Sequence, residues 1–148
     1  MVTYSKTTQY AIAAVSRLAE VYDEQLKLSS IDIAKSRELP QPVVAKVLTI
    51  LSQSSLVNGS PGPGGGYSLA RPPAEIRLID IADCFERNEK ELTCPFGPNY
   101  CGTGNPCPLH HQLTVLMKQY QQFLEQNTLA VFSKTSKKKR QPLSKVAT

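Results

Sequence analysis

Apolar residues recur at helical spacing from the first stretch of the chain. Ala11, Ala14, Val15, Leu18 and Tyr22 share one face of a helix predicted over 6–22, and Ser5 can cap its start. The polar stretch Asp23-Glu24-Gln25 breaks the pattern. Ser29-Ser30-Ile31-Asp32 then has the form of a capping box with Asp as the acidic partner, opening a short helix to about residue 36. Pro42 suits the first turn of another helix, where its missing N–H has no carbonyl to meet. That helix is predicted to reach about residue 53. Val44, Val47, Leu48 and Leu51 line one face, with Gln41, Val43, Ala45, Lys46 and Thr49 over the rest. A short helix, a tight turn at Arg37-Glu38-Leu39 and a longer helix make a helix-turn-helix pattern, which two helices packed in a small core would share. In a helix-turn-helix, the N-terminal residues of the second helix meet base edges in the major groove.

The next segment favours that reading. Leu56-Val57-Asn58 and Tyr67-Ser68-Leu69 flank Gly59-Ser60-Pro61-Gly62-Pro63-Gly64-Gly65-Gly66, the pattern of a β-hairpin around a Gly/Pro turn. Directly after a helix-turn-helix, such a hairpin is a wing whose glycine N–H groups can approach phosphates. A nucleotide-binding phosphate loop is excluded, because no Gly-Lys-Ser/Thr follows and no long apolar strand precedes. Gln41, Lys46, Thr49, Ser60, Gly62, Gly64, Gly65 and Tyr67 are the candidate DNA contacts.

After the connector Arg71-Pro72-Pro73, the positions of Ile76, Ile79, Ile81, Ala82 and Phe85 predict a strand or turn and then a helix over 78–87. Cys84 falls in it and reads as a small buried hydrophobe. The longest helix is predicted over 108–132. Leu109, Leu113, Leu116, Tyr120, Phe123 and Asn127 alternate spacings of four and three, an a/d seam. Pairing with its equivalent in a second copy buries that seam and makes a two-fold dimer, the form suited to palindromic half-sites.

Charge changes this picture little. The net charge is +5, and Lys137-Lys138-Lys139-Arg140 supplies four of the positive charges, so the body before it is close to neutral. The fold class expected is mainly α: a winged helix-turn-helix domain over 1–91, a cysteine-rich loop over 92–107, a dimerisation helix over 108–133 and a disordered basic tail over 134–148. No stretch approaches the roughly 20 apolar residues of a membrane helix. The start MVTYSKTTQY has no charged leader before an apolar run, so the expected location is the cytoplasm.

In a reducing compartment, clustered cysteines point to metal rather than disulfides. Cys94, Cys101 and Cys107 lie within LTCPFGPNYCGTGNPCPLHH, with His110 three positions after the last. The prolines and glycines there leave little room for helix or strand, whereas four soft or borderline ligands on one centre would supply order. The donor set suits an iron–sulfur cluster or a closed structural zinc site. There is no acid/base pair, activated nucleophile or cofactor loop to support an enzyme.

SKTTQYAIAA at the start, GPGGGY in the wing, the cysteine loop running into CPLHH, and FLEQNTLAVF near the end together resemble the Rrf-two family of bacterial transcription regulators, with its IscR-like and NsrR-like members. The resemblance covers about residues 3–132. It implies a homodimeric, iron–sulfur-dependent DNA-binding regulator sensing redox, nitric oxide or iron/cluster status. Cys94, Cys101 and Cys107 match the family's three thiolate ligands, and His110 matches the fourth ligand of IscR-like members. NsrR-like members use a carboxylate from the partner's first helix, where this chain has Gln9. One histidine ligand favours 2Fe–2S over 4Fe–4S. Three departures stand out: Cys94 and Cys101 are separated by one residue more than is usual in the IscR type, Pro61 stands where arginine usually precedes GPGGGY, and Pro40, Pro42, Val43 and Ala45 stand where polar base-reading residues often occur. The alternatives are a zinc-bound or cluster-free regulator, or a cluster-handling protein that does not read DNA.

Overall fold

A computed structural model describes residues 4–86 and 106–133. Cys94 and Cys101, and the tail from 134 onward, lie outside the described residues. The described elements are α1 (Lys6–Glu20), α2 (Ser30–Arg37), α3 (Gln41–Gln53), β1 (Val57–Ser60), β2 (Gly66–Leu69), α4 (Leu78–Ala82) and α5 (His110–Gln126). Short 3-10 turns follow α1 at Tyr22–Glu24, β2 at Pro73–Glu75 and α5 at Leu129–Phe132.

The helix starts form as their side chains dictate. Ser5 Oγ accepts from the Thr8 N–H at 3.3 Å at the head of α1. At α2 the capping box is complete: Ser29 Oγ accepts from the Asp32 N–H at 3.1 Å, and Asp32 returns a bond to the Ser29 N–H at 3.3 Å. Pro42 stands in the first turn of α3. Between α2 and α3, Glu38 takes the left-handed conformation (φ 52°), and the Leu39 N–H closes the turn onto the Ala34 carbonyl at 2.9 Å.

Packing joins α1, α2 and α3 into one core of Val15, Leu18, Ile33, Val44, Val47, Leu48 and Leu51, all 1% exposed or less. A polar tie fixes the angle between helices. Arg37, at the end of α2, reaches Glu20 of α1 at 2.6 Å and Ser16 Oγ at 3.1 Å, while Arg17 also pairs with Glu20. The Glu20 side chain is only 10% exposed, so losing Arg37 leaves a nearly buried carboxylate with less compensation.

β1 and β2 pair antiparallel from Val57–Leu69 to Ser60–Gly66, which shortens the turn to residues 61–65. A third extended segment joins them. Leu28 bridges Tyr67, exchanging N–H···O bonds of 3.0 and 2.7 Å. This contact ties the segment before α2 directly to the hairpin.

Two expectations are corrected. The helix expected over 78–87 ends at Ala82, and Cys84 lies beyond it. The cause is local: the Cys84 and Phe85 N–H groups bond three residues back, tightening the chain into a turn that carries Glu86 toward the head of α1. Cys84 is half-buried against the core, and its thiol faces the Asp80 carbonyl at 3.3 Å. The helix expected over 108–132 is broken after Gln126. There Asn127 turns extended, Thr128 bridges Arg77, and the Leu78 and Leu129 N–H groups bond across this junction at 2.9 Å each. Leu129, fully buried, anchors the break from below.

The a/d seam is also divided between two faces. Leu113 and Tyr120 are half-buried on the side of α5 that carries the buried Leu124 into the core. Leu109, Leu116 and Phe123 are 46%, 50% and 50% exposed. No helix among the described residues is long and apolar enough to cross a membrane.

Candidate nucleic-acid interface and cysteine site

On α3 the core-facing residues fix which residues face out. With Val44, Val47, Leu48 and Leu51 buried, Gln41, Lys46 and Thr49 are exposed together with Pro42. Gln41 Nε2 donates to Ser30 Oγ at 3.2 Å, linking the starts of α2 and α3 across the exposed edge. The Thr49 hydroxyl donates to the Ala45 carbonyl at 2.9 Å. Its oxygen remains an acceptor, whereas Lys46 is a donor alone. Much of the stripe between these polar groups is Pro42 and Ala45, which offer shape and apolar contact rather than hydrogen bonds.

The hairpin presents backbone. Gly62 (φ 81°) and Gly64 (φ 74°) lie in the left-handed region with open space around them, so their amides can meet a ligand closely. Gly65 instead closes the turn, its N–H on the Gly62 carbonyl at 2.9 Å. Ser60 is half-buried, and its hydroxyl accepts from Lys27 Nζ at 3.1 Å. Tyr67 is half-buried against the core, and its ring lies beneath Gly59. Its first role is to carry the Leu28 bridge. The structure therefore brings Gln41, Lys46 and Thr49 onto one helix face and Ser60, Gly62 and Gly64 to the hairpin end, while Tyr67 is turned inward.

Of the candidate metal ligands, Cys107 and His110 are described. Cys107 is buried, and the His110 N–H donates to its carbonyl at 3.0 Å, so one turn carries both side chains into α5. A thiol and an imidazole on one turn are a fitting half of a soft-metal donor set. Among the described residues no group of three ligating side chains converges.

Glu86, the last described residue before that segment, was not visible as a functional residue in the sequence. Its carboxylate accepts from the Ser5 N–H and the Thr8 hydroxyl, both at 2.6 Å, at the positive end of α1. Burial alone pushes its pKa up, but the hydrogen bonds from Thr8 and Ser5 outweigh that and hold it below the ordinary carboxylate range. Because the folded value is lowered, its stabilising effect is complete above the ordinary carboxylate range. It is lost as the pH falls through the folded value. Thermal melts of wild type and Glu86→Gln over a pH series should therefore show the wild type melting higher at neutral pH and the gap closing on acidification. A gap that stays constant with pH would mean that the charge is not what matters. Nearby, the Tyr4 N–H donates to the Tyr120 hydroxyl at 3.0 Å and the two rings lie 5.6 Å apart, so α5 is tied to the same end of α1.

A family model described as an iron-dependent transcriptional regulator, Rrf2, matches residues 4–135. The chain belongs to the Rrf2 family. A protein of Aquifex aeolicus assigned by name to the HTH-type transcriptional regulators is 36% identical over 128 residues, covering 85% of this chain and 88% of that one. The regulator IscR of Cereibacter sphaeroides is 33% identical over 79 residues, 53% of this chain and 51% of its own. Among solved structures, T. potens IscR aligns with a TM-score of 0.67 at 25% identity, over 86% of this chain and 83% of that one. CymR, the global cysteine regulator of B. subtilis, aligns at 0.71 and 21% identity over 87% and 94%, a likeness of fold. This Rrf2 protein is thus a transcriptional regulator and not an enzyme. Its helix-turn-helix and hairpin are the DNA-binding winged helix, as the pattern of α2, α3 and the Gly/Pro turn indicated.

Proposed function

We propose that this Rrf2 regulator is a homodimer that binds a double-stranded operator and responds to the state of an iron–sulfur cluster. Division of labour follows the chain: residues 1–91 read DNA, 92–107 hold the cluster with His110, 108–133 dimerise, and 134–148 form a basic tail. Gln41, Lys46 and Thr49 meet base edges or phosphates in the major groove, and Ser60, Gly62 and Gly64 meet backbone, while Gly65 shapes the turn that presents them. Tyr67 contributes at the wing root. Acting on DNA, the protein works in the cytoplasm.

One observation carries the sensing reading: Cys107 and His110 share the turn that opens α5, and α5 is tied through Tyr120 to α1. Cys94, Cys101, Cys107 and His110 would hold the cluster, 2Fe–2S in preference to 4Fe–4S because an imidazole replaces one thiolate. Bound, the cluster supplies a redox- and nitric-oxide-reactive centre. This chain's own residues carry the consequence: Cys107 and His110 set the start of α5, while Glu86 holds the other end of the cysteine segment on α1. The two cluster states must differ in DNA affinity for this to regulate anything.

Anaerobic purification with absorbance and iron/sulfide analysis of wild type and Cys101→Ala tests the reading. The wild type is expected to be coloured with iron and sulfide in equal amounts, and the variant to lose both. A colourless wild type carrying stoichiometric zinc would sink the sensor in favour of a structural zinc site. A coloured protein with no affinity for duplex DNA would instead indicate cluster handling.

A further inference from the structure

A wing that follows the DNA backbone works against a polyanion, yet residues 56–70 contain no lysine, arginine or histidine. Backbone amides and the Ser60 hydroxyl can donate to phosphate oxygens, but they bring no charge to displace condensed counterions. The fold supplies one from elsewhere. Leu28 is fixed beside Tyr67 by the paired 3.0 and 2.7 Å bonds, a single antiparallel bridge that ties the segment before α2 to the hairpin. Gly66 permits this approach, since a Cβ there would lie 2.9 Å from the Leu28 carbonyl carbon. Next to Leu28, the exposed Lys27 reaches along the hairpin and places its Nζ 3.1 Å from Ser60 Oγ. Ser60 pairs with Gly66 as the last rung before the glycine turn. The ammonium is therefore held at the edge of the turn that carries the open amides of Gly62 and Gly64.

We infer that Lys27 supplies the wing's positive charge, as a phosphate-contacting residue that belongs to neither the helix-turn-helix nor the hairpin. An ammonium has three N–H donors. Ser60 engages one and orients the head, and a phosphate on the turn's amides takes up the others as charge-assisted bonds. The other nearby cations differ in place. Arg71 follows the last residues of β2, where Ala70 returns to Leu56 at the far end of the hairpin, and Lys46 sits on α3. As an exposed lysine hydrogen-bonded to a serine, Lys27 adds little to folding. Its replacement therefore tests binding alone.

The inference rests on the DNA-binding reading, and one experiment separates the two. Binding of the full chain to a labelled mixed-sequence B-form duplex is measured by anisotropy over a salt series, for wild type, Lys27→Gln and Lys27→Arg, alongside thermal melts. For Lys27→Gln, the slope of log affinity against log salt should become shallower by about 0.9 per bound protomer, with the melting temperature unchanged. Lys27→Arg should keep the wild-type slope. Parallel slopes for wild type and Lys27→Gln overturn the inference, as does a slope change accompanied by a lowered melting temperature. A wild type with no salt-dependent binding refutes DNA binding itself, and the role of Lys27 with it.

Discussion

If α5 pairs two copies as proposed, the wild type is expected to sediment as a dimer and a variant with Leu116 and Phe123 both replaced by glutamate as a folded monomer. Both side chains are half exposed on α5 beside its core-facing stripe and belong to no buried core, so neither substitution opens a cavity. Among the described residues, seven large hydrophobics are exposed, and Leu109, Val115, Leu116 and Phe123 concentrate on this one helix and its cap. A surface of that kind is explained by a partner rather than by solvent. Beside it, Tyr4, Gln9, Ile12, Ala13, Ser16, Tyr120 and Phe132 line an open cleft of about 500 Å³, which extends the available contact area across α1. Burying a Leu or Phe side chain is worth roughly 1.5–3 kcal/mol, and a two-fold interface counts each change twice. The double variant should therefore raise the dimer dissociation constant more than about a thousandfold. Analytical ultracentrifugation reads the outcome, and an undiminished dimer would place the interface elsewhere. Because half-site binding couples to the dimer, operator affinity should fall with it, while far-UV circular dichroism stays that of the wild type.

Gly66→Val is expected to detach the wing from the body. Gly66 has φ 133°, a region that L side chains rarely enter, and any Cβ meets the Leu28 backbone at 2.9 Å. The strain of the backbone conformation alone is about 1–3 kcal/mol. The chain can relieve the clash only by giving up the Leu28–Tyr67 bridge. A fall of several degrees in melting temperature should accompany weaker DNA binding, since the hairpin then loses its register against α2. Hydrogen exchange gives the more specific reading: faster exchange of the Leu28 and Tyr67 amides, with α1 and α3 amides in the core unchanged. Wild-type protection at Leu28 would show that the bridge tolerates a side chain at position 66.

Much of this protein was legible from local rules. The Ser29–Asp32 capping box, Pro42 at the start of α3, the apolar face Val44-Val47-Leu48-Leu51 and the Gly/Pro hairpin are each decided by residues within a turn or two of one another. Short-range hydrogen bonds and side-chain periodicity suffice for them. The exposed face of α3, with Gln41, Lys46 and Thr49, followed as the complement of its buried face. Cys107 and His110, three residues apart, were legible as neighbours on one turn for the same reason, and their role as ligands is a proposal; Cys94 and Cys101 lie outside the described residues.

What local pattern could not decide was which of two compatible partners a residue would take. The a/d spacing of α5 is satisfied equally by a second helix and by the chain's own core. The structure divides it: Tyr120 packs with Leu124 against the core and Leu113 is half-buried, while Leu109, Leu116 and Phe123 are exposed. Helical periodicity likewise continued through Asn127, yet the helix stops where Thr128 finds Arg77 and Leu129 fills the core. Glu86 meets Ser5 and Thr8 across about eighty positions of chain, and Lys27 meets Ser60 across 33. Neighbours along the chain set the helices, the turn chemistry and the kind of face each element presents, since capping and periodicity act over a turn or two. Where the helices stop, which apolar residues stay exposed and which lysine stands at the wing depend on residues that meet after the chain has folded, so contacts distant in sequence set them.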